Sequence, residues 1–159
     1  MSDIDLNELL NRCCKVAEEA LVSLVVLETR PFFYWFGEYK PYMTFRVGAD
    51  EIDDEGEELD VDNYLVTGRL VVAHVTEGYE GEGEENLYTY IPMLKTAFNS
   101  NTLLQSAAYP VGQTHLIEAR LGRLSGYKIF TDGGVKSIQI GCEFPLRCKF
   151  EQLIDYQYN

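Results

Sequence analysis

The sequence predicts an α+β fold in which an antiparallel β-sheet is covered by two amphipathic helices and ends in a long C-terminal β-hairpin. Residues 138–150 are apolar at every second position, a pattern typical of one long strand with one face in a core and the other in water. Two other segments carry apolar residues at helical spacing. The 159 residues are expected to form one domain without disulfides or metals to stabilise it.

The first element is predicted as an amphipathic helix over residues 5–24. Asp5 and Glu8 have the spacing of a capping box, with Asp5 in place of the usual Ser or Thr. Because the polar residues of this segment share one side, the helix should bury a single stripe against the sheet. The apolar residues at helical intervals are Leu6, Leu9, Leu10, Cys13, Val16, Ala17, Ala20 and Leu24.

An aromatic cluster follows Pro31 and ends at Tyr42. Gly37 and Pro41 interrupt the cluster, which favours a loop or a short edge strand over a helix. Such clusters usually pack on the core. The alternative is an exposed anchor for another subunit, because aromatic side chains carry much of the binding energy at protein interfaces. The candidate interface residues in this segment are Trp35, Phe36 and Tyr39.

Two strands separated by an acidic loop are predicted next. Residues 42–47 have strand character, and residues 64–75 are rich in β-branched side chains and favour a central strand. Between them, residues 50–62 contain nine acids in thirteen positions, a composition typical of a solvated hairpin loop.

Part of that loop approaches the spacing of a calcium-binding loop. The spacing involves Glu51, Asp53, Glu55, Gly56 and Asp62. However, the first position is Glu, the last is Asp, and strands instead of helices flank the segment. We therefore expect an exposed loop and no metal site.

The second helix is predicted between residues 84 and 100, where Leu87, Ile91, Leu94 and Phe98 recur at helical spacing. Two positions for Pro92 remain open, since it either kinks this helix or occupies the first turn of a shorter one. The preceding residues 77–86 are interpreted as a glycine-rich acidic turn. Five Glu and no basic residue exclude a phosphate-binding loop there.

The C-terminal third returns to strand character after an irregular segment over residues 103–113. Alternation from residue 115 to residue 129 passes Gly122 and Gly126, which permit a bulge or bend. The turn signal at residues 131–134 joins this run to the final strand as a hairpin.

The net charge of −13 argues against a protein that grips nucleic acid by its phosphates. Repulsion can itself serve a function, because a channel that passes DNA without holding it is better lined with carboxylates than with Lys and Arg. The acidic N terminus is unlike a signal peptide, and no apolar run is long enough to span a bilayer, so a cytoplasmic setting without membrane contact is expected.

No cofactor and no catalytic constellation are predicted. The four cysteines lack the spacing of a zinc or redox motif, and Cys142 and Cys148 fall on the apolar face of the last strand, so reduced core thiols are expected. His74 and His115 are the only histidines, and neither has an acid and nucleophile beside it in the sequence.

From about residue 40 onward, the order of elements is similar to that of the tail terminator or tail-completion (head–tail joining) proteins of long-tailed bacteriophages. The stretches that carry the resemblance are residues 69–98 (RLVVAHVTEGYEGEGEENLYTYIPMLKTAF) and residues 140–150 (IGCEFPLRCKF). The resemblance implies a single tail-terminator-like domain over residues 1–159. It also implies a structural virion protein, assembled in the host cytoplasm, that forms a hexameric ring on the tail tube.

Such a ring would end tube polymerisation, join the tail to the neck or connector, and let DNA pass without specific binding. It would have no enzymatic activity, cofactor or catalytic residue. A long terminal strand is a template for pairing with a neighbour, and Pro145 on its polar side indicates an edge or bulge. The candidate subunit-interface residues on this strand are Phe144, Pro145 and Arg147. The candidate lumen residues are Glu51, Asp53, Asp54, Glu55, Glu57, Glu58, Glu80, Glu82 and Glu84.

Two other functions remain open. The first is a monomeric acidic mimic of DNA that inhibits a nucleic-acid-binding enzyme, although the acids cluster in two loops and do not form rows with phosphate spacing. The second is a metal-dependent hydrolase that uses the carboxylate loops, which would require a role for Asp53 or Asp62.

Overall fold

The computed structural model describes residues 4–25, 27–33, 41–48, 61–74, 80–131 and 138–151. The described elements are α1 (Leu6–Leu21), β1 (Glu28–Arg30), β2 (Tyr42–Val47), β3 (Val61–His74), α2 (Glu80–Asn99), β4 (Leu116–Leu121), β5 (Lys128–Thr131) and β6 (Ile138–Glu151). The predicted α+β class is confirmed, since these elements are two helices and a six-stranded, mostly antiparallel sheet.

The strand order is β1-β2-β3-β6-β4, and β5 also pairs with β6. Only β1 and β2 run parallel, and every other described pair is antiparallel. The predicted C-terminal hairpin is confirmed by the antiparallel pairing of β5 with β6, and its turn at residues 132–137 lies outside the described residues. The long strand β6 is therefore internal, with β3 on one side and β4 and β5 on the other.

The surroundings of Pro145 explain why the internal strand β6 can contain a proline. On one side it is opposite Thr67 of β3. On the other side β4 ends opposite Leu146 and β5 begins opposite Gly141, so Pro145 faces the gap between these two strands. Its carbonyl oxygen accepts a hydrogen bond from the N–H of Gly122 at 2.7 Å. The sequence predicts that part of this strand lies at an edge or bulge, and the gap at Pro145 is such a local edge, where no strand requires the missing N–H.

The bend predicted between β4 and β5 is confirmed. The strand that ends at Leu121 resumes only at Lys128. Within this connection Gly126 has a φ of 74°, a left-handed conformation that glycine adopts without the steric penalty of a Cβ atom.

Helix α1 begins as predicted, because the carboxylate of Asp5 accepts a hydrogen bond from the N–H of Glu8 at 3.1 Å. It ends at Leu21, three residues before the predicted end, and Leu24 beyond it is half exposed. The apolar stripe of α1 is buried in the core, as its spacing predicted.

Helix α2 begins at Glu80, so the interpretation of residues 80–86 as a turn is wrong. Gly83 lies so close to the sheet that an added Cβ would be 2.3 Å from the Cβ of Ala73, and this close approach helps the acidic, glycine-rich segment to be helical. Pro92 lies well inside the helix, so the alternative in which it begins a shorter helix is wrong. The predicted apolar face of Leu87, Leu94 and Phe98 is buried.

Both helices contribute to one core on the same side of the sheet. Phe144 lies near the middle of this core, with ring centroids 6.3 Å from Phe45 and 5.6 Å from Phe98. All four cysteines are buried and free, which confirms the predicted core positions of Cys13, Cys142 and Cys148 and adds Cys14 to them. Among the described residues, no helix has the length and apolar character needed to cross a bilayer.

Candidate functional site

The most distinctive surface of the molecule is the side of the sheet that faces away from α1 and α2, which we call the outer face. Cross-strand partners share one side of a sheet, so the strand register identifies its members. Among the residues that the structure describes, its charged members are Glu28, Arg30, Arg46, Arg69, Glu118, Arg120, Lys128, Glu143, Arg147, Lys149 and Glu151. They include seven of the thirteen Lys and Arg of the chain but only four of its 26 Asp and Glu.

Positive and negative residues are therefore distributed unevenly between the outer face and the rest of the chain. Counted over the described strands alone, the outer face has seven cations and four carboxylates, a formal excess of three positive charges. Since the whole chain carries −13, the rest of the chain carries −16. The described strands thus concentrate Lys and Arg on one face of a very acidic protein.

Arg69 organises the centre of the outer face. Its Nε and Nη2 atoms lie 3.1 and 3.0 Å from Oε1 of Glu143, and Nζ of Lys128 lies 3.1 Å from Oε2 of the same carboxylate. The guanidinium carbon of Arg69 lies 4.5 Å from the ring centroids of both Phe33 and Phe130. Charge-assisted hydrogen bonds and two aromatic rings therefore hold this cation in one position.

Part of the outer face is buried where β2, β3 and β5 come together. Tyr42, Val71 and Phe130 form a second, smaller buried cluster there. The hydroxyl of Tyr42 donates a hydrogen bond to the side-chain oxygen of Gln139, and Gln139 is itself completely buried. At the opposite end, which we call the accessible end, β4 lies beside β6 and the side chains of Arg120 and Arg147 are exposed.

At this accessible end, one carboxylate is shared by two cations. Glu118 lies 3.4 Å from Nη2 of Arg120 and 3.7 Å from Nζ of Lys149. These three side chains and Arg147 line a cavity of about 130 Å³. The side chain of Arg120 is 73% exposed. Among the described residues, this cavity therefore brings three cations and one carboxylate together.

The structure separates the three interface residues predicted on β6. Pro145 and Arg147 lie on the outer face, and Arg147 is exposed. The prediction of Phe144 as an interface residue is wrong, because its ring points to the helix side and is 1% exposed. Trp35, Phe36 and Tyr39 lie outside the described residues.

Most of the predicted lumen acids also fall outside the described residues, namely Glu51, Asp53, Asp54, Glu55, Glu57 and Glu58. Glu80 and Glu82 belong to the first turns of α2. The partly exposed carboxylate of Glu84 accepts a hydrogen bond from the hydroxyl of Tyr88 at 2.7 Å. A location beside a lumen stays a prediction for all of these acids.

Within the described ranges, no three side chains of His, Cys, Asp and Glu come together in a way that could hold a metal ion. Asp62, the one described member of the calcium-like spacing, lies in β3 opposite Phe150. His115 has a carboxylate partner, with Nδ1 3.6 Å from an oxygen of Glu151.

The sequence reasoning missed the basic outer face. Its cations come from several strands that are far apart in the chain, and the overall charge of −13 conceals a local excess of the opposite sign. The available signal was the alternation in β6, which places Arg147 and Lys149 together on its polar side.

No protein-family model matches the sequence, and a search of curated proteins finds no match either.

Proposed function

We propose that this chain is a structural subunit of a bacteriophage virion that assembles into a ring, as a homohexamer, at the end of the tail tube. The ring ends tube polymerisation and joins the tail to the neck while DNA passes through it. The observation that carries this proposal is the outer face, a broad sheet surface that neither helix covers and on which Arg120 and Arg147 are exposed.

The outer face is suited to docking because its side chains are already ordered. Glu143 and the rings of Phe33 and Phe130 fix Arg69, while Glu118 contacts both Arg120 and Lys149. A partner that binds such a surface loses little additional side-chain entropy, which favours specific assembly. Fixed charges also set the orientation of the partner and repel incorrect ones.

The strands beside β6 support self-assembly in a second way. β4 and β5 are short strands at the same side of the sheet, and each exposes an apolar side chain, Ile117 at 48% and Ile129 at 51%. Outer strand edges can hydrogen-bond to another chain through their backbone groups, and on β4 one of these groups, the N–H of Ala119, already donates to the carbonyl oxygen of Thr102 at 2.7 Å. Closed symmetry limits such pairing to a finite ring.

The acidic remainder of the molecule supports passage of DNA. A lumen lined with carboxylates repels phosphates, so DNA meets little resistance from specific contacts. We place the acidic segments of residues 50–62 and 80–85 at this lumen as part of the proposal.

The first test is the mass of the purified protein under native conditions, alone and with purified tail tubes. A hexamer of the 18.1 kDa chain is expected, either free or bound at one end of each tube. Addition of the protein to polymerising tube subunits should stop elongation at that end, as measured by electron microscopy of tube lengths. A chain that stays monomeric with tubes present, or virions that lack it below the capsid, would contradict the proposal.

A nuclease assay separates this proposal from the DNA-mimic function. We expect no stoichiometric inhibition, because the sheet surface available for contact carries an excess of cations and not rows of carboxylates. Inhibition by a monomer would favour the mimic instead.

A further inference from the structure

We propose that a cavity beside Pro145 on the outer face binds a small aromatic carboxylate, with Arg123 as the residue that holds its carboxylate group. The cavity has a volume of about 310 Å³ and lies where the sheet is interrupted between β4 and β5. Its lining includes Thr67, Arg123, Leu124, Ser125, Glu143 and Pro145. The site goes beyond the proposed ring and does not depend on it, because it concerns a ligand of each chain.

The interruption of the sheet explains why a cavity is present. Residues 122–127 lie beside β6 in place of a regular strand. The N–H of Gly122 donates to the carbonyl oxygen of Pro145 at 2.7 Å, and the N–H of Ser125 donates to that of Glu143 at 2.8 Å. A Cβ atom at Gly122 would lie 2.8 Å from Cγ of Pro145, so this connection follows the proline ring closely. Backbone contacts therefore hold the wall of the cavity in place.

Arg123 supplies the cation of the site. Its side chain lines the cavity, and the residue is exposed. Among the residues that the structure describes, none forms an ion pair, hydrogen bond or ring contact with its guanidinium group. By contrast, Arg69 pairs with Glu143, and Arg120 pairs with Glu118. The planar set of N–H donors of Arg123 is therefore available to a ligand, and this set matches the two oxygens of a carboxylate.

The carboxylate of Glu143 is already neutralised and repels an incoming anion only weakly. Nε and Nη2 of Arg69 lie 3.1 and 3.0 Å from one of its oxygens, and Nζ of Lys128 lies 3.1 Å from the other. The net charge of −13 acts over longer distances, and salt at about 0.15 M screens exposed charges beyond about 8 Å. Direct contact with Arg123 therefore decides whether a carboxylate binds.

The rest of the lining suits an aromatic ring. Pro145 and Leu124 contribute apolar surface to the cavity. An apolar cavity of about 150 Å³ accommodates benzene, so a volume of about 310 Å³ admits a ring with a short acidic substituent. Thr67 adds a hydroxyl that makes no hydrogen bond within the described part of the chain and can donate to an oxygen of the ligand. A neutral ring would leave Arg123 without a partner, and a bare carboxylate would leave the apolar surface in water.

The first experiment is saturation-transfer NMR on the full chain with phenylacetate as the probe. We expect saturable binding, and binding at least about tenfold weaker for phenylacetamide, because its uncharged amide cannot form a charge-assisted pair with Arg123. On isotope-labelled protein, the amide signals of residues 122–125 and 143–144 should shift. Equal binding of the two probes, or shifts confined to other residues, would overturn the proposal.

The second experiment uses the variant R123Q, which removes the cation but keeps a polar side chain. Its matched control is R120Q, which removes an exposed arginine from the same face at a position that does not line this cavity. The dissociation constant of phenylacetate should rise about tenfold in R123Q, rise less in R123K and stay unchanged in R120Q, because lysine keeps the charge but not the planar donors. Circular dichroism establishes that the variants remain folded. Equal affinities of R123Q and the wild type, or equal losses in R123Q and R120Q, would overturn the proposal.

The same chemistry can come from a free aromatic acid or from an acidic residue next to a tyrosine in a protein partner. The peptide acetyl-Asp-Tyr-amide, with acetyl-Asn-Tyr-amide as its neutral control, distinguishes these sources. Tighter binding of the acidic peptide than of phenylacetate supports a protein segment as the ligand, and the opposite order supports a free acid. Peptide binding that R123Q leaves unchanged counts against the site. A chain that stays monomeric with tail tubes would contradict the ring and leave this site standing.

Discussion

At the scale of single residues, the pair formed by Gly68 and Phe144 shows how tightly β3 and β6 are matched. The two residues are cross-strand partners on the helix side of the sheet. A Cβ atom at Gly68 would lie 2.6 Å from Cζ of Phe144, so the aromatic ring occupies the space that any larger residue would require.

We therefore predict that Gly68→Ala lowers the free energy of unfolding by about 1–3 kcal/mol, as overpacking of a core usually does. Phe144→Leu should cost less in the Gly68→Ala background than in the wild type, because the smaller side chain leaves room for the added methyl group. Urea denaturation of the four proteins measures this coupling. Gly48→Ala is the control, since its Cβ would lie at an ordinary 3.5 Å from the carbonyl oxygen of Leu65. Strictly additive effects would contradict the prediction.

The buried thiols allow a prediction about pH. Burial raises the pKa of Cys142 and of Cys148 from 9.0 to about 12, and that of Cys14 to about 11. The folded state therefore favours the neutral thiol, and the resulting stability is present below the unfolded pKa near 9 and is lost as the pH rises towards 12. The free energy of unfolding should fall above pH 9, and it should fall less steeply in Cys148→Ala.

Reactivity gives a second measurement of the same thiols. At about pH 8, a disulfide reagent should label none of Cys13, Cys14, Cys142 and Cys148 before unfolding, because all are buried and protonated. Rapid labelling of a folded sample would contradict this expectation.

At the scale of elements, α2 contains a proline at an interior position, where proline destabilises a helix. Pro92 is exposed and lies inside the helix, where proline lacks the N–H that would donate to the carbonyl of Tyr88 four residues earlier. Pro92→Ala should therefore raise the free energy of unfolding by up to about 3 kcal/mol. Thermal and urea denaturation measure the gain, with Lys95→Ala at an exposed position of the same helix as the control. A loss of stability would show that the proline ring has a role in packing.

Sequence reasoning predicted those elements whose signal lies in contiguous residues. The capping interaction of Asp5 and the alternation of β6 both depend on neighbours along the chain, and both are present in the structure. The start of α2 was missed because Gly83 disfavours a helix locally, while its close packing on Ala73 requires the folded sheet. Phe144 and Pro145 were grouped as interface residues although their strand directs them to opposite sides of the sheet.

At the scale of the whole molecule, net charge alone gave an incomplete description. The sequence predicts an acidic protein that repels DNA, but only the strand order brings Arg69 of β3, Arg120 of β4 and Arg147 of β6 to one face. The sign of the charge on a local surface depends on the strand topology. The net charge of the whole chain does not contain that information.

Separated charge also makes the proposed assembly sensitive to salt. Raising the ionic strength from about 0.1 M to about 1 M shortens the Debye length from about 10 Å to about 3 Å. We expect rings formed through the outer face to dissociate over this range, while the fold persists because its core is apolar. Light scattering and circular dichroism on the same samples test the two statements. Rings that tighten as salt increases would instead indicate an apolar interface.

The gap opposite Pro145 divides one side of the sheet into two parts that can open separately. β4 and β5 each hydrogen-bond to β6, but neither is paired with it at Pro145. Loss of β5 from the sheet therefore breaks none of the described ladder bonds of β4. In amide hydrogen exchange, residues 128–131 should lose protection independently of residues 116–121, so a ring could rearrange contacts at one of these strands while the other keeps its place.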